Sequence, residues 1–191
     1  NTFTGATTVS AGTLNISGSL AGSTLTIASG GTLSGHGSVG NVTILSGGSL
    51  TLGGSAGVFT STGNLTLSGG SYTLLEISSL AAYDHLDVAG QLTAGGRLEI
   101  RFADGLSVTD GTTFNLLNAG SYAGGFSDFT LPTLSGGYEW DLSLLSSSGM
   151  LSVTQLTAIP EPAQGAAVIG LIAMVALGVF RRNPRRVPPQ P

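Results

Sequence analysis

The side chains able to carry chemistry are few and widely spaced. His36 and His85 are the only histidines, and the chain has no cysteine. Neither paired thiolates nor the His/Cys spacing of a metal centre is present, so no metal and no cofactor is expected. The lack of cysteine also excludes a disulfide framework, leaving any extracellular stability to the fold itself. Asp84 and Asp87 are the nearest approach to a carboxylate pair. An offset of three on an extended chain sends them to opposite faces, which does not suit paired acid–base work, and their expected role is to solvate a cap. Glu99 and Arg101 share a strand face opposite Leu98, Ile100 and Phe102 and read as an exposed ion pair worth well under ~1 kcal/mol. Asn15, Asn41 and Asn64 each open an Asn-x-Ser/Thr triplet, which chance explains in a chain this rich in Ser and Thr. No catalytic residue is expected among these.

The elements that must hold such residues follow from composition. The 191 residues include 31 Gly, 41% are apolar, and 8% are charged. Mean hydropathy is +0.36, opposite to the low-hydrophobicity, high-charge signature of disorder, so a packed core is expected. All six cations are Arg, and the net charge is −4. That supplies no basic groove for a phosphate backbone, so nucleic acid is excluded as a partner. The charge is also segregated: residues 1–75 carry no Asp, Glu, Lys or Arg, and residues 76–160 hold nine acids against Arg97 and Arg101. The last stretch sets Glu161 against Arg181, Arg182, Arg185 and Arg186, which marks a separate basic module. The chain opens on Asn1 without a basic stretch and apolar run. A removed signal peptide or, preferably, a C-terminal fragment of a longer protein is expected.

Short alternating runs such as Thr24-Leu25-Thr26-Ile27, Val42-Thr43-Ile44, Leu65-Thr66-Leu67 and Leu98-Glu99-Ile100-Arg101-Phe102 predict strands with one buried face. Between them recur small-residue corners at Ala11-Gly12-Thr13-Leu14, Gly30-Gly31-Thr32-Leu33, Gly47-Gly48-Ser49-Leu50 and Gly69-Gly70-Ser71-Tyr72, whose starts are 19, 17 and 22 residues apart. A loose period near ~20 residues predicts a solenoid whose coils pair in parallel. An antiparallel β-sandwich is the rival, since many short strands also fit that pattern. The recurring corner chemistry favours the solenoid for residues 1–75. Residues 76–157 are less regular and gather aromatics and charges, as expected of a more polar terminal cap. The Gly-Gly corners lack the Asp that calcium-binding nonapeptide repeats place after them, so calcium is not expected.

The run Gly30-Gly31-Thr32-Leu33-Ser34-Gly35-His36-Gly37-Ser38-Val39-Gly40-Asn41-Val42-Thr43 resembles the autotransporter-associated β-strand repeat. Thr62 to Leu67, Tyr83 to Val88 and Gly111 to Leu117 resemble the last coils of such passenger domains. The resemblance, over about residues 5–155, implies an all-β, right-handed parallel β-helix displayed on a Gram-negative surface, often as an adhesin. Such passengers normally precede a membrane β-barrel; a departure from that plan, with another export device in the barrel's place, is expected here.

The C-terminal module reads separately. Ile159-Pro160-Glu161-Pro162 precedes eighteen residues, Ala163 to Phe180, in which Gln164 is the only strongly polar side chain. At about 1.5 Å per residue they reach roughly 27 Å, enough for a single transmembrane helix. The Arg cluster would stay cytoplasmic by the positive-inside rule, placing residues 1–160 on the other side. This order of parts resembles the PEP-CTERM sorting signal: Pro160, Glu161 and Pro162 as the motif, a span from Gly165 through Leu171 and Val175 to Phe180, and Arg181 and Arg182 as the stop, with Arg185 and Arg186 beyond. Pro184 to Pro191 extend past the usual end of such tails. The resemblance implies processing by exosortase, contact with membrane lipid before processing, and delivery to the cell surface or matrix of an exopolysaccharide-producing bacterium. The expected organisation is therefore a β-helix over 1–157, an extended motif at 158–162, a span at 163–180 and a cytoplasmic tail at 181–191. The expected function is that of a non-enzymatic stalk or adhesin, with exopolysaccharide or cell-surface glycans as candidate ligands. The alternative is an extracellular polysaccharide-acting β-helix enzyme whose active site lies upstream of residue 1.

Overall fold

An extended Leu-Thr-Ile or Gly-Thr-Leu segment has a single apolar face, too small to bury alone, so segments must stack. The computed structural model describes residues 2–53, 56–103 and 105–156. The motif Pro160-Glu161-Pro162, the apolar run 163–180 and the Arg cluster lie outside the described residues. In chain order come β1 (Thr7–Val9), β2 (Gly12–Asn15), β3 (Ser19–Leu20), β4 (Leu25–Ile27), β5 (Gly31–Ser34), β6 (Ser38–Val39), β7 (Val42–Ile44), β8 (Ser49–Thr51) and β9 (Val58–Ser61). They are followed by β10 (Leu65–Leu67), β11 (Tyr72–Ile77), β12 (His85–Ala94), β13 (Arg97–Phe102), β14 (Thr113–Asn115), β15 (Leu117–Gly124), β16 (Asp128–Thr130), β17 (Tyr138–Asp141), the four-residue helix α1 (Leu145–Ser148) and β18 (Met150–Gln155). The described part is all-β with almost no helix, and none of its helices is long and apolar enough to cross a membrane.

Successive strands visit three rows in turn. One row runs β1, β4, β7, β10 and the end of β12. The second runs β2, β5, β8, β11, β13 and β16. The third runs β3, β6, β9 and the start of β12, with β15 pairing along β12. Every pairing in these rows is parallel. In the first row Thr7, Leu25, Val42, Leu65 and Leu92 lie opposite one another in sequence, steps of 18, 17, 23 and 27 residues. The sequence spacing between paired strands therefore lengthens toward the C-terminus.

All three rows contribute to one core. Leu33 and Leu50 of the second row, Val39 and Phe59 of the third, and Ile27, Ile44 and Leu65 of the first are fully buried in a single cluster. Each such side chain contributes about 1.5–3 kcal/mol of burial. The alternate positions face outward, and in the first row they form an in-register rank of Thr8, Thr26, Thr43, Thr66 and Thr93. The Gly-rich corners all feed the second row. Gly47 shows why: its φ is 76°, a conformation L side chains rarely adopt, and its N–H donates along the stack to the Gly70 carbonyl at 2.9 Å.

A second corner is held by side chains. Asn41 Oδ1 accepts the Asn64 N–H at 2.8 Å, and Asn64 Oδ1 accepts the Gln91 N–H at 2.9 Å, one coil further on. The residue before each recipient is Gly because a Cβ at Gly63 would stand 2.3 Å from Asn41 Oδ1, and one at Gly90 2.2 Å from Asn64 Oδ1. Two of the three Asn-x-Thr/Ser triplets thus have a structural use.

The C-terminal cap departs from the expected parallel stacking. β14, β18 and β17 form an antiparallel sheet in which Phe114 lies opposite Leu151 and Trp140 opposite Val153. Its rings pack as Tyr83–Phe114 at 5.4 Å and Phe102–Trp140 at 5.6 Å, both edge-to-face, and Trp140 Nε1 donates to the Pro132 carbonyl at 2.8 Å. These rings gather at the end of the core, which the three-stranded antiparallel sheet closes. The expected gathering of charge there holds, with Glu139 on β17 and Asp110 and Asp141 accepting backbone N–H groups of Gln155 and Ser143.

Two substitutions test this account with opposite signs. Thr73 takes the inward position between Leu50 and Leu98, and its buried hydroxyl has no hydrogen-bond partner among the described residues. Thr73→Val should stabilise the protein by about 1 kcal/mol. Asn64→Ala strips the partner from Gln91 and should cost about 1 kcal/mol. Urea unfolding followed by far-UV circular dichroism reads both; destabilisation by Thr73→Val would show that the hydroxyl is satisfied.

Candidate functional site

Regularity breaks where the coils lengthen, and polar side chains converge there. Residues 56–57 and 78–84 flank the start of β12 where it joins the third row. Between them lies a cleft of about 450 Å³ lined by Ala56, Gly57, Val58, Ala82, Tyr83, His85, Asn115 and Asn118 among others. The Tyr83 ring is steadied edge-on by Phe114 and stands 6.4 Å from the His85 ring. At the far side Asn118 Nδ2 donates to Asp87 Oδ1 at 2.9 Å.

Asp84 pins both walls. Its carboxylate is fully buried, accepting the Gly57 N–H on Oδ1 at 3.1 Å and the Glu76 N–H on Oδ2 at 3.0 Å. The His85 N–H donates to the Gly57 carbonyl at 3.0 Å, adding a main-chain tie across the same gap. Burial pushes the Asp84 carboxyl above the usual carboxylate range. The two N–H groups and His36, whose Nε2 is 4.0 Å from Oδ1, counter that rise without cancelling it. The cap-solvating role expected of Asp84 is therefore wrong. The carboxylate faces inward because Asp84 shares the parity of Leu86 and Val88, the buried positions at the start of β12, so the alternation of that strand already carries it to the core side. Asp87 does lie on the outer face, separated from Asp84 as expected. His36 packs flat against Gly57, where a Cβ would stand 2.2 Å from its Cδ2.

The second charged group lies on β11 and β13. Arg101 Nε donates to Glu99 Oε1 at 2.7 Å, Tyr72 OH donates to Oε2 at 3.0 Å, and Arg97 Nη2 lies 3.7 Å from Oε2. Arg97 also approaches Asp128 Oδ2 at 3.6 Å. The expected Glu99–Arg101 pair is present, but the Glu99 side chain is only 14% exposed against 56% for Arg101. Desolvation pushes the Glu99 carboxyl up; hydrogen bonds from Arg101 and Tyr72, with both Arg charges, outweigh it and hold the carboxyl below its ordinary value. Desolvation, then the Glu99 hydrogen bond, raise the Tyr72 phenol. Each Arg is matched by a carboxylate, so this face offers no site for an anion. Among the described residues no group of three or more His, Asp or Glu is placed to hold a metal.

No protein-family model matches the chain, and no curated protein matches it significantly. Tyr83, Asn115 and Asn118 escaped the sequence reading because they are drawn from segments up to 35 residues apart. The available signal is an acid, Asp84, on the inward parity of Leu86 and Val88, within the unrepeated triplet Tyr83-Asp84-His85.

The role of Asp84 predicts a pH signature. Its raised folded value contributes stability that is fully present below the unfolded value near ~3.9 and lost as pH rises through the folded value. In Asp84→Asn that dependence disappears, and one amide N–H is set against a backbone donor. The variant should lose about 1–3 kcal/mol at neutral pH. Wild type should exceed it by more at pH 4 than at pH 7 in urea titrations; an equal difference at both pH values would show that Asp84 does not titrate in this window.

Proposed function

We propose that the protein is an exported, non-enzymatic surface or matrix protein: a right-handed parallel β-helix stalk carrying a C-terminal PEP-CTERM sorting signal that exosortase processes. The observation that supports it most is the stacking of parallel strands in three rows around one core, with neutral Thr, Ser and Asn on the outward positions. Crossovers between parallel strands are right-handed with few exceptions, which gives the hand. Such a stack grows by adding coils without changing its cross-section, the property a spacer needs. It presents a long surface with little charge, suited to contact with glycans rather than to turnover. The charged side chains that are brought together, Glu99 with its two Arg partners and Asp84 beneath the cleft wall, are spent on mutual satisfaction and on main-chain N–H groups.

The address is read from the tail sequence. Pro160 and Pro162 would disfavour a helix across the motif and favour an extended backbone around Glu161, the form a peptidase engages. The apolar run to Phe180 would insert, and Arg181, Arg182, Arg185 and Arg186 would hold the end in the cytoplasm. The cleavage enzyme therefore meets a substrate already fixed in depth and orientation.

Replacing Pro160, Glu161 and Pro162 by alanine should leave insertion intact and block release, so that full-length chain accumulates in the inner membrane. Neutralising the four Arg residues should instead disturb topology before any processing. Fractionation with intact-mass measurement, in a host that makes exosortase, checks both. Normal processing of the triple-alanine chain would make the tail an ordinary anchor.

A further inference from the structure

We propose that the cleft between residues 56–58 and 81–85 binds a neutral saccharide chain. This deepens the surface-protein reading and rests on it for the partner's presence outside the cell; the chemistry of the cleft is argued separately.

The size is that of a ligand site, about 450 Å³ against the roughly 300–1,000 Å³ typical of small-molecule clefts. The lining combines two rings, Tyr83 and His85, with two carboxamides, Asn115 and Asn118, over small apolar contacts from Ala56, Val58 and Ala82. A carboxamide offers a donor and an acceptor side by side, the complement of a vicinal diol. Asn118 keeps its acceptor oxygen and a second N–H after donating to Asp87. The faces of aromatic rings carry negative charge that favours the C–H edges of a pyranose. Walls fixed by the Asp84 carboxylate and the Gly57–His85 main-chain bond reduce the ordering a ligand must impose.

Charge chooses between ligand classes. The Lys/Arg side chains among the described residues are Arg97 and Arg101, both engaged by Glu99 on the second row, while Asp87 lies at the cleft itself. An anionic glycan, a phosphate ester or a nucleotide would meet a carboxylate and find no Lys or Arg in the lining. An extended peptide is equally unsupported, because β12 at the cleft floor is already hydrogen-bonded to β9 and β15 and has no open edge for an added strand. What remains is a ligand of hydroxyls and C–H faces without charge.

The test uses the full 191-residue chain in a zwitterionic detergent that lacks a sugar head group. Laminarihexaose, cellohexaose, maltohexaose and mannohexaose are titrated by calorimetry, with hexagalacturonate as the acidic comparison. At least one neutral hexasaccharide should bind with a Kd of about 1 mM or tighter, and hexagalacturonate should not. Asn118→Ala should weaken binding about tenfold with an unchanged thermal midpoint. Ala82→Trp, on an exposed turn, should block the cleft and serves if Asn118→Ala misfolds. Failure of all four neutral sugars, tighter binding of the acidic one, or binding that survives Ala82→Trp would overturn the proposal. Normal exosortase processing alongside any of those results would leave the surface-protein reading standing; binding without processing would do the reverse.

Discussion

Parallel, in-register hydrogen bonding along the stack is the constraint on which the rest depends. It places every side chain about 4.8 Å from its counterpart in the next coil, so a residue type is tolerated only if it tolerates a near copy of itself. Leu on Leu, Ile on Ile and Thr on Thr satisfy this; a repeated charge does not, since like charges at that spacing repel by about 1 kcal/mol per step even in water. Residues 1–75 accordingly carry no charge at all. When charges do enter, they alternate in sign along the row: Glu76 lies opposite Arg101, and Arg97 opposite Asp128. The low charge of the chain is thus a consequence of its architecture rather than a statement about its solubility.

The same constraint decides what the sequence discloses. Gly-Thr-Leu corners and Leu-Thr-Ile triplets recur because each copy meets the same surroundings, so the first and second rows are legible in advance, down to Leu25–Ile27 and Val42–Ile44. The third row is not, since β3 and β6 have two residues each and a two-residue strand has no period. The antiparallel cap is hidden for a different reason: Phe114 and Trp140 alternate like any other strand residues, and β14 and β18, which pair there, lie about 35 residues apart with β15, β16 and β17 between them. Asp84 was misread because its partners, the N–H groups of Gly57 and Glu76, lie 27 and 8 residues away and present no side-chain signature.

Coil lengthening converts a uniform stack into one with a particular place on it. Steps of 17 and 18 residues leave only tight corners, whereas steps of 23 and 27 leave chain to spare, part of which, residues 56–57 and 78–84, lies beside the start of β12. Loops that leave a ladder lose its main-chain partners, and buried backbone groups must find others. Asp84 supplies two acceptors at once for that purpose. A buried carboxylate is costly to desolvate, as its raised pKa shows, so its use here marks a position where two loops must be held in register.

The division between repeat and interruption also bears on specificity. The outward Thr rank repeats at every coil and can distinguish partners only by spacing, whereas Tyr83, His85, Asn115 and Asn118 occur together once among the described residues and distinguish by shape and hydrogen-bond direction. Recognition by uncharged amides falls off steeply with misorientation and gains little from long-range attraction. Affinity at a single cleft of this kind would therefore be modest, and in the proposed surface role firm attachment would come from many copies engaging one polymer, each contributing through the raised local concentration of the rest.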